Sequence, residues 1–86
     1  MKLDSRIKEL VAIGASVTAN CQPCLQYHVK QALESGADEH EIAEAIEIGR
    51  MVRKGASSKM DKFAASLGQA VPSAAGEASE GCGCSS

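Results

Sequence analysis

The sequence contains no tryptophan, one tyrosine, one phenylalanine and two prolines in 86 residues. Aromatic side chains bury the most area per residue, so a chain limited to Tyr27 and Phe63 must build its core from aliphatic residues and alanine. Fourteen of the hydrophobic residues are Ala, and one small domain with so thin a core is expected to oligomerise. No long apolar run is present, which argues against a membrane-spanning helix. Charge of one sign is missing too. Nine basic residues stand against 11 acidic ones, and the longest basic cluster is the Arg53-Lys54 pair. Neither nucleic acid nor an anionic membrane surface has an electrostatic footprint to bind. Charges recur through Glu9 with no apolar segment of signal-peptide length, so a cytoplasmic location is expected.

What the chain does have is cysteine in two tight pairs, Cys21/Cys24 and Cys82/Cys84. Close pairs in a reducing compartment point to redox chemistry or metal binding rather than to a stapled secreted fold. Helical signals surround the first pair. Asp4 is a good N-cap for a helix over about residues 5–19, in which Ile7, Leu10, Val11, Ala15 and Thr18 recur at helical spacing and Asn20 ends the run. Pro23 suits the first turn of a second helix through Leu25, Val29, Ala32 and Leu33 to a stop at Gly36. Asp38 and Glu41 form a capping-box pattern before a third helix, with acids early and Arg50, Arg53 and Lys54 late. Gly55 is expected to break or kink that pattern, leaving a fourth helix through Met60, Phe63 and Leu67 to Gly68. The reading is an all-α bundle of about four helices over residues 1–68, followed by a flexible Gly/Ser/Ala-rich tail, 69–86, that ends in Cys82 and Cys84.

The chemistry concentrates in Cys21-Gln22-Pro23-Cys24-Leu25-Gln26-Tyr27-His28. Positions i and i+4 share a helix face, so Cys24 and His28 fall within reach of each other. A thiol acts as a nucleophile only as thiolate, and both a helix N-terminus and a neighbouring imidazole favour that form. Cys21 is near enough to close a disulfide with Cys24. His28 needs a partner to fix its tautomer, and Glu9 is the candidate. With the first two helices antiparallel, a Glu9 side chain can span the remaining axial offset, roughly 5–6 Å at 1.5 Å per residue.

Glu9 and Ala12, the run Cys21-x-x-Cys24-x-x-x-His28, Gly36 and the segment from Glu41 to Gly55 together resemble the core of the alkylhydroperoxidase D / carboxymuconolactone decarboxylase superfamily. The resemblance covers roughly residues 5–56, and its most specific element is Glu-x11-Cys-x-x-Cys-x-x-x-His. It implies an all-helical domain assembling into trimers or hexamers, with a cysteine pair that reduces hydroperoxides and is restored by an external dithiol. By the family motif, Cys24 attacks the peroxide, Cys21 resolves the product to a disulfide, and His28 with Glu9 relays protons. No cofactor is implied. Some members carry a further His between the cysteines, where this chain has Pro23.

Pro23 also creates Cys-x-Pro-Cys, an arrangement thioredoxin-like proteins use in disulfide exchange with the first cysteine attacking. That leaves two nucleophile assignments, of which Cys24 has the helical histidine neighbour. Decarboxylase members work without this cysteine pair, which disfavours decarboxylation. The competing reading is a non-catalytic module that binds a metal or senses redox state, with Cys21, Cys24 and His28 as ligands and Cys82 or Cys84 as a fourth. The terminal pair is alternatively a shuttle that reduces the Cys21–Cys24 disulfide by exchange. His40 is expected to be solvated, Glu39, Glu41, Glu44 and Glu47 to form a solvated face, and Gly14, Ala15, Ala45 and Gly49 to be close-packing sites.

Overall fold

The computed structural model describes residues 2–68. The expected tail over 69–86, with Cys82 and Cys84, lies outside the described residues. Within them are three helices and no strand: α1 (Ser5–Thr18), α2 (Gln22–Glu34) and α3 (Glu39–Gly68). The chain divides into two units, Met1–Gly55 and Ala56–Ser86.

Local chemistry sets each boundary. At the start of α1, the Asp4 side chain accepts from the Ile7 N–H at 2.9 Å. At its end, Asn20 takes a left-handed φ of 58°. Its N–H donates to Val17 O at 3.1 Å while the Cys21 N–H donates to Ser16 O at 3.0 Å. These are the paired bonds of a Schellman terminus, and Asn tolerates the left-handed conformation better than most residues. α2 ends the same way around Gly36 (φ 98°), with Gly36 N–H on Leu33 O and Ala37 N–H on Ala32 O. α3 opens on a complete capping box: the Glu41 N–H donates to Asp38 Oδ1 at 2.8 Å, and the Asp38 N–H donates to Glu41 Oε1 at 3.2 Å. Arg6 of α1 pairs with the other Glu41 oxygen, so Glu41 is not the solvated acid the sequence suggests.

The expected break at Gly55 does not occur. α3 runs without interruption from Glu39 to Gly68, so the third and fourth helices of the sequence reading are one. Glycine lowers helix stability but keeps its N–H, and among the described glycines only Gly36 leaves the negative-φ region.

In the first unit, Ile13, Ala32, Ala37, Ile42 and Ala45 form a buried cluster, against which Leu10, Leu25, Val29 and Ile46 pack. The buried residues of α1 are Glu9, Ile13, Ser16 and Val17. Of the helical stripe Ile7, Leu10, Val11, Ala15 and Thr18, only Leu10 joins that core. The stripe lines an open groove of about 730 Å³, with Ala45, Ile48 and Val52 of α3 opposite. α1 and α3 come close together at glycines: a Cβ on Gly49 would stand 2.5 Å from Gly14 O and 2.9 Å from Val17 Cβ. The Thr18 hydroxyl lies within hydrogen-bonding distance of both Gly14 O and Gly49 O, at 2.9 and 3.1 Å. Gly14, Ala45 and Gly49 are thus close-packing positions, whereas Ala15 is exposed.

Candidate functional site

α2 begins at a cysteine. Cys21 is its N-cap, with Sγ accepting from the Cys24 N–H at 3.3 Å, and Pro23 sits in the first turn, where no intrahelical donor is needed. Cys21 is half-buried and Cys24 exposed. A disulfide joins them, with Cα atoms 5.2 Å apart. Cys21 therefore has three structural duties. Its N–H closes the α1 terminus, its side chain opens α2, and its sulfur carries the covalent bond.

One turn after Cys24, His28 is half-buried and meets α1. Its Nδ1 lies 2.6 Å from Glu9 Oε1. Glu9 is buried at 9% exposure, which separates it from an ordinary surface acid. The helix pairing that brings them together is the α1–α2 contact around Ile13 and Ala32. With Glu9 ionised, Nδ1 must donate, and in the neutral ring Nε2 then holds the free lone pair. Tyr27 stands edge-on to the imidazole with ring centroids 5.0 Å apart and planes at 79°, adding an aromatic contact. Among the described residues no hydrogen bond joins His28 to either sulfur, and sulfurs bonded to each other hold no thiol proton to share.

The structure thus brings Glu9 to His28 and Cys21 to Cys24, on adjoining turns of one helix pair. His40 is exposed and outside this cluster. No group of three or more His, Cys, Asp or Glu suited to hold a metal ion occurs among the described residues. None of the four candidate residues lines the α1–α3 groove.

Two neighbours escape the sequence reading. Arg53 of α3 donates to Asn20 Oδ1 at 3.0 Å and to Val17 O at 3.3 Å, gripping the corner that precedes Cys21. In the sequence Arg53 is simply one of several bases late in a helix, and no local spacing ties it to position 20. Tyr27 is visible only as a rare aromatic beside the histidine.

Comparison with known proteins shows the family. Residues 1–65 match the carboxymuconolactone decarboxylase family, and the chain belongs to it. It is 38% identical over 55 residues to "Uncharacterized protein 4 in cox locus" of Paracoccus denitrificans, a match covering 64% of this chain and 50% of that protein. To an uncharacterised protein of Cupriavidus necator it is 35% identical over 46 residues, covering 54% of this chain and 41% of the relative. The chain thus spans about half the length of the curated relatives it matches. No solved structure matches it.

Proposed function

We propose that this member of the carboxymuconolactone decarboxylase family is a thiol-dependent oxidoreductase. It reduces hydroperoxides or disulfides through Cys21 and Cys24, with His28 and Glu9 as proton relay. The observation that carries this reading is the 2.6 Å contact between buried Glu9 and His28, on the helix whose first turn holds the Cys21–Cys24 disulfide. A carboxylate that fixes an imidazole one turn from a cysteine is the arrangement an activated nucleophile needs.

In the reduced protein His28 takes the Cys24 proton. The thiolate attacks one peroxide oxygen, so that an S–O bond forms and the O–O bond breaks. The departing alkoxide takes the proton back from His28 and leaves as alcohol. Cys24 is then a sulfenic acid. Cys21 attacks its sulfur, the S–S bond forms, the S–O bond breaks, and hydroxide leaves as water with the Cys21 proton. The cysteine pair has given two electrons to the hydroperoxide. An external dithiol returns them by exchange, with Cys82 and Cys84 as candidate intermediaries.

The test is thiol titration of the reduced protein before and after a limiting dose of hydroperoxide, with metal analysis of the same sample. Loss of both core thiols with formation of alcohol is expected, and loss of all four implicates the terminal pair. Cys24→Ser should be inactive, and Cys21→Ser should stop after one turnover. Activity retained in Cys24→Ser would overturn the roles. Stoichiometric metal with no turnover would favour the non-catalytic module.

A further inference from the structure

The α1–α2 corner is held by a residue that this cycle does not use. Arg53, half-buried on α3, donates to Asn20 Oδ1 and to Val17 O. Both acceptors belong to the terminus that places Cys21. Val17 O also takes the Asn20 N–H, and Asn20 is the left-handed residue immediately before the cysteine. The guanidinium therefore spans the one backbone position in the corner that a side chain with a Cβ disfavours.

The same contact has an electrostatic side. Cys21 sits where two helix ends meet. The N-terminus of α2 favours negative charge on its sulfur, while the C-terminal carbonyls of α1 oppose it. Arg53 covers the α1 end with a permanent positive charge. Consecutive Cα atoms are about 3.8 Å apart, so a group bonded to the Asn20 side chain lies on the order of 10 Å or less from the Cys21 Cα.

We infer that Arg53 is a positioning residue for the redox pair: it holds the corner that sets Cys21 at the start of α2 and, by offsetting the negative end of α1, favours the reduced thiolate form over the disulfide. The inference deepens the proposed function and rests on reversible Cys21–Cys24 chemistry, not on the identity of the substrate. Reduction adds two electrons to a neutral disulfide. The glutathione thiolates that supply them become glutathione disulfide, and any thiolate that stays unprotonated on the protein gains from the nearby cation.

The experiment equilibrates the full chain with reduced and oxidised glutathione at about pH 9, just above the ordinary cysteine pKa of about 8.5. The Cys21–Cys24 disulfide is quantified by alkylation and peptide mapping, which keeps Cys82 and Cys84 separate. Arg53→Gln should move the equilibrium about fourfold toward the disulfide, as expected for a charge at this range in a partly aqueous setting. That is roughly 18 mV at about 29.6 mV per tenfold for a two-electron couple. Arg53→Lys, which keeps the charge, should move it by less than about twofold, and the Arg53→Gln difference should shrink in about 1 M salt. An Arg53→Gln protein poised like the wild type, however much its melting temperature falls, overturns the inference. Should that variant lose its helical circular dichroism, Arg53→Met decides, because it removes the charge and both hydrogen bonds while keeping the apolar stem that packs on the corner. A shift toward the disulfide there upholds the inference, and a wild-type poise overturns it. A chain inert to hydroperoxides but shifted by Arg53→Gln would separate failure of the proposed function from failure of this inference.

Discussion

Glu9 shows how much of a site a single carboxylate can organise. It is buried, it is within hydrogen-bonding distance of His28, and its neighbour on the same face is fully buried Ile13. Replacing it by glutamine keeps the shape and removes the charge that fixes the imidazole. Glu9→Gln is expected to lower kcat/KM for hydroperoxide reduction by about 10²-fold or more, the usual scale for general acid–base catalysis. The check is steady-state turnover alongside a thiol count, which should be unchanged. Two glycines give a paired prediction about stability. Gly49→Ala would push a methyl onto the Gly14 carbonyl and is expected to cost about 1–3 kcal/mol. At Gly14 the nearest atom to an added Cβ is Ala45 O at 3.4 Å, so Gly14→Ala should cost clearly less. Urea denaturation of both variants checks the order. The meeting of Glu9 with His28 was legible in the sequence because an antiparallel hairpin leaves only a short axial offset between them and the resembled family motif pairs them. Arg53 was not, because its partners lie 33 and 36 residues away and only the α1–α3 packing brings them together.

At the level of the helices, the legible features were those whose chemistry is local. The Asp4 cap, the Asn20 and Gly36 stops, the Pro23 start and the Asp38/Glu41 box each involve residues within one or two turns, so they survive whatever the tertiary structure does. Asp38→Ala is expected to remove about 1 kcal/mol of stability by uncapping α3, measurable as a lowered urea midpoint at constant m-value. Gly55 was misread because glycine weakens a helix without blocking it, and the residues flanking it are strong enough helix formers to carry the ladder through. A Cβ there meets nothing within 4 Å. Gly55→Ala is accordingly expected to stabilise the protein by about 0.5–1 kcal/mol. A thermal melt showing no gain would overturn that expectation. The face of α1 was also only half legible. Its apolar residues occupy more than one stripe, and periodicity cannot say which stripe meets α2 when a polar residue such as Glu9 or Ser16 sits in the buried one.

For the whole molecule, the thin core read from composition is matched by the burial pattern. Ile13 is the one large side chain that is fully buried among the described residues, while Val11, Ile48, Met51 and Val52 of the first unit are each more than half exposed. Apolar surface on that scale is expected to be covered by further copies of the chain. Sedimentation should give a mass above the 8.9 kDa of one chain, and Val11→Glu or Ile48→Glu should shift the protein toward the monomer. A wild-type protein that sediments as one chain would remove that expectation. The shared cysteine at the helix corner has a consequence for how such chains can vary. Surface connections ordinarily accept insertions and deletions, because only loop entropy is at stake. Here residue 21 terminates one helix and starts the next, so one residue added or removed between Ala19 and Cys21 would break the bond from the Cys21 N–H to Ser16 O and shift His28 out of register with Glu9. This hairpin should therefore be the stretch of the chain least tolerant of a change in length.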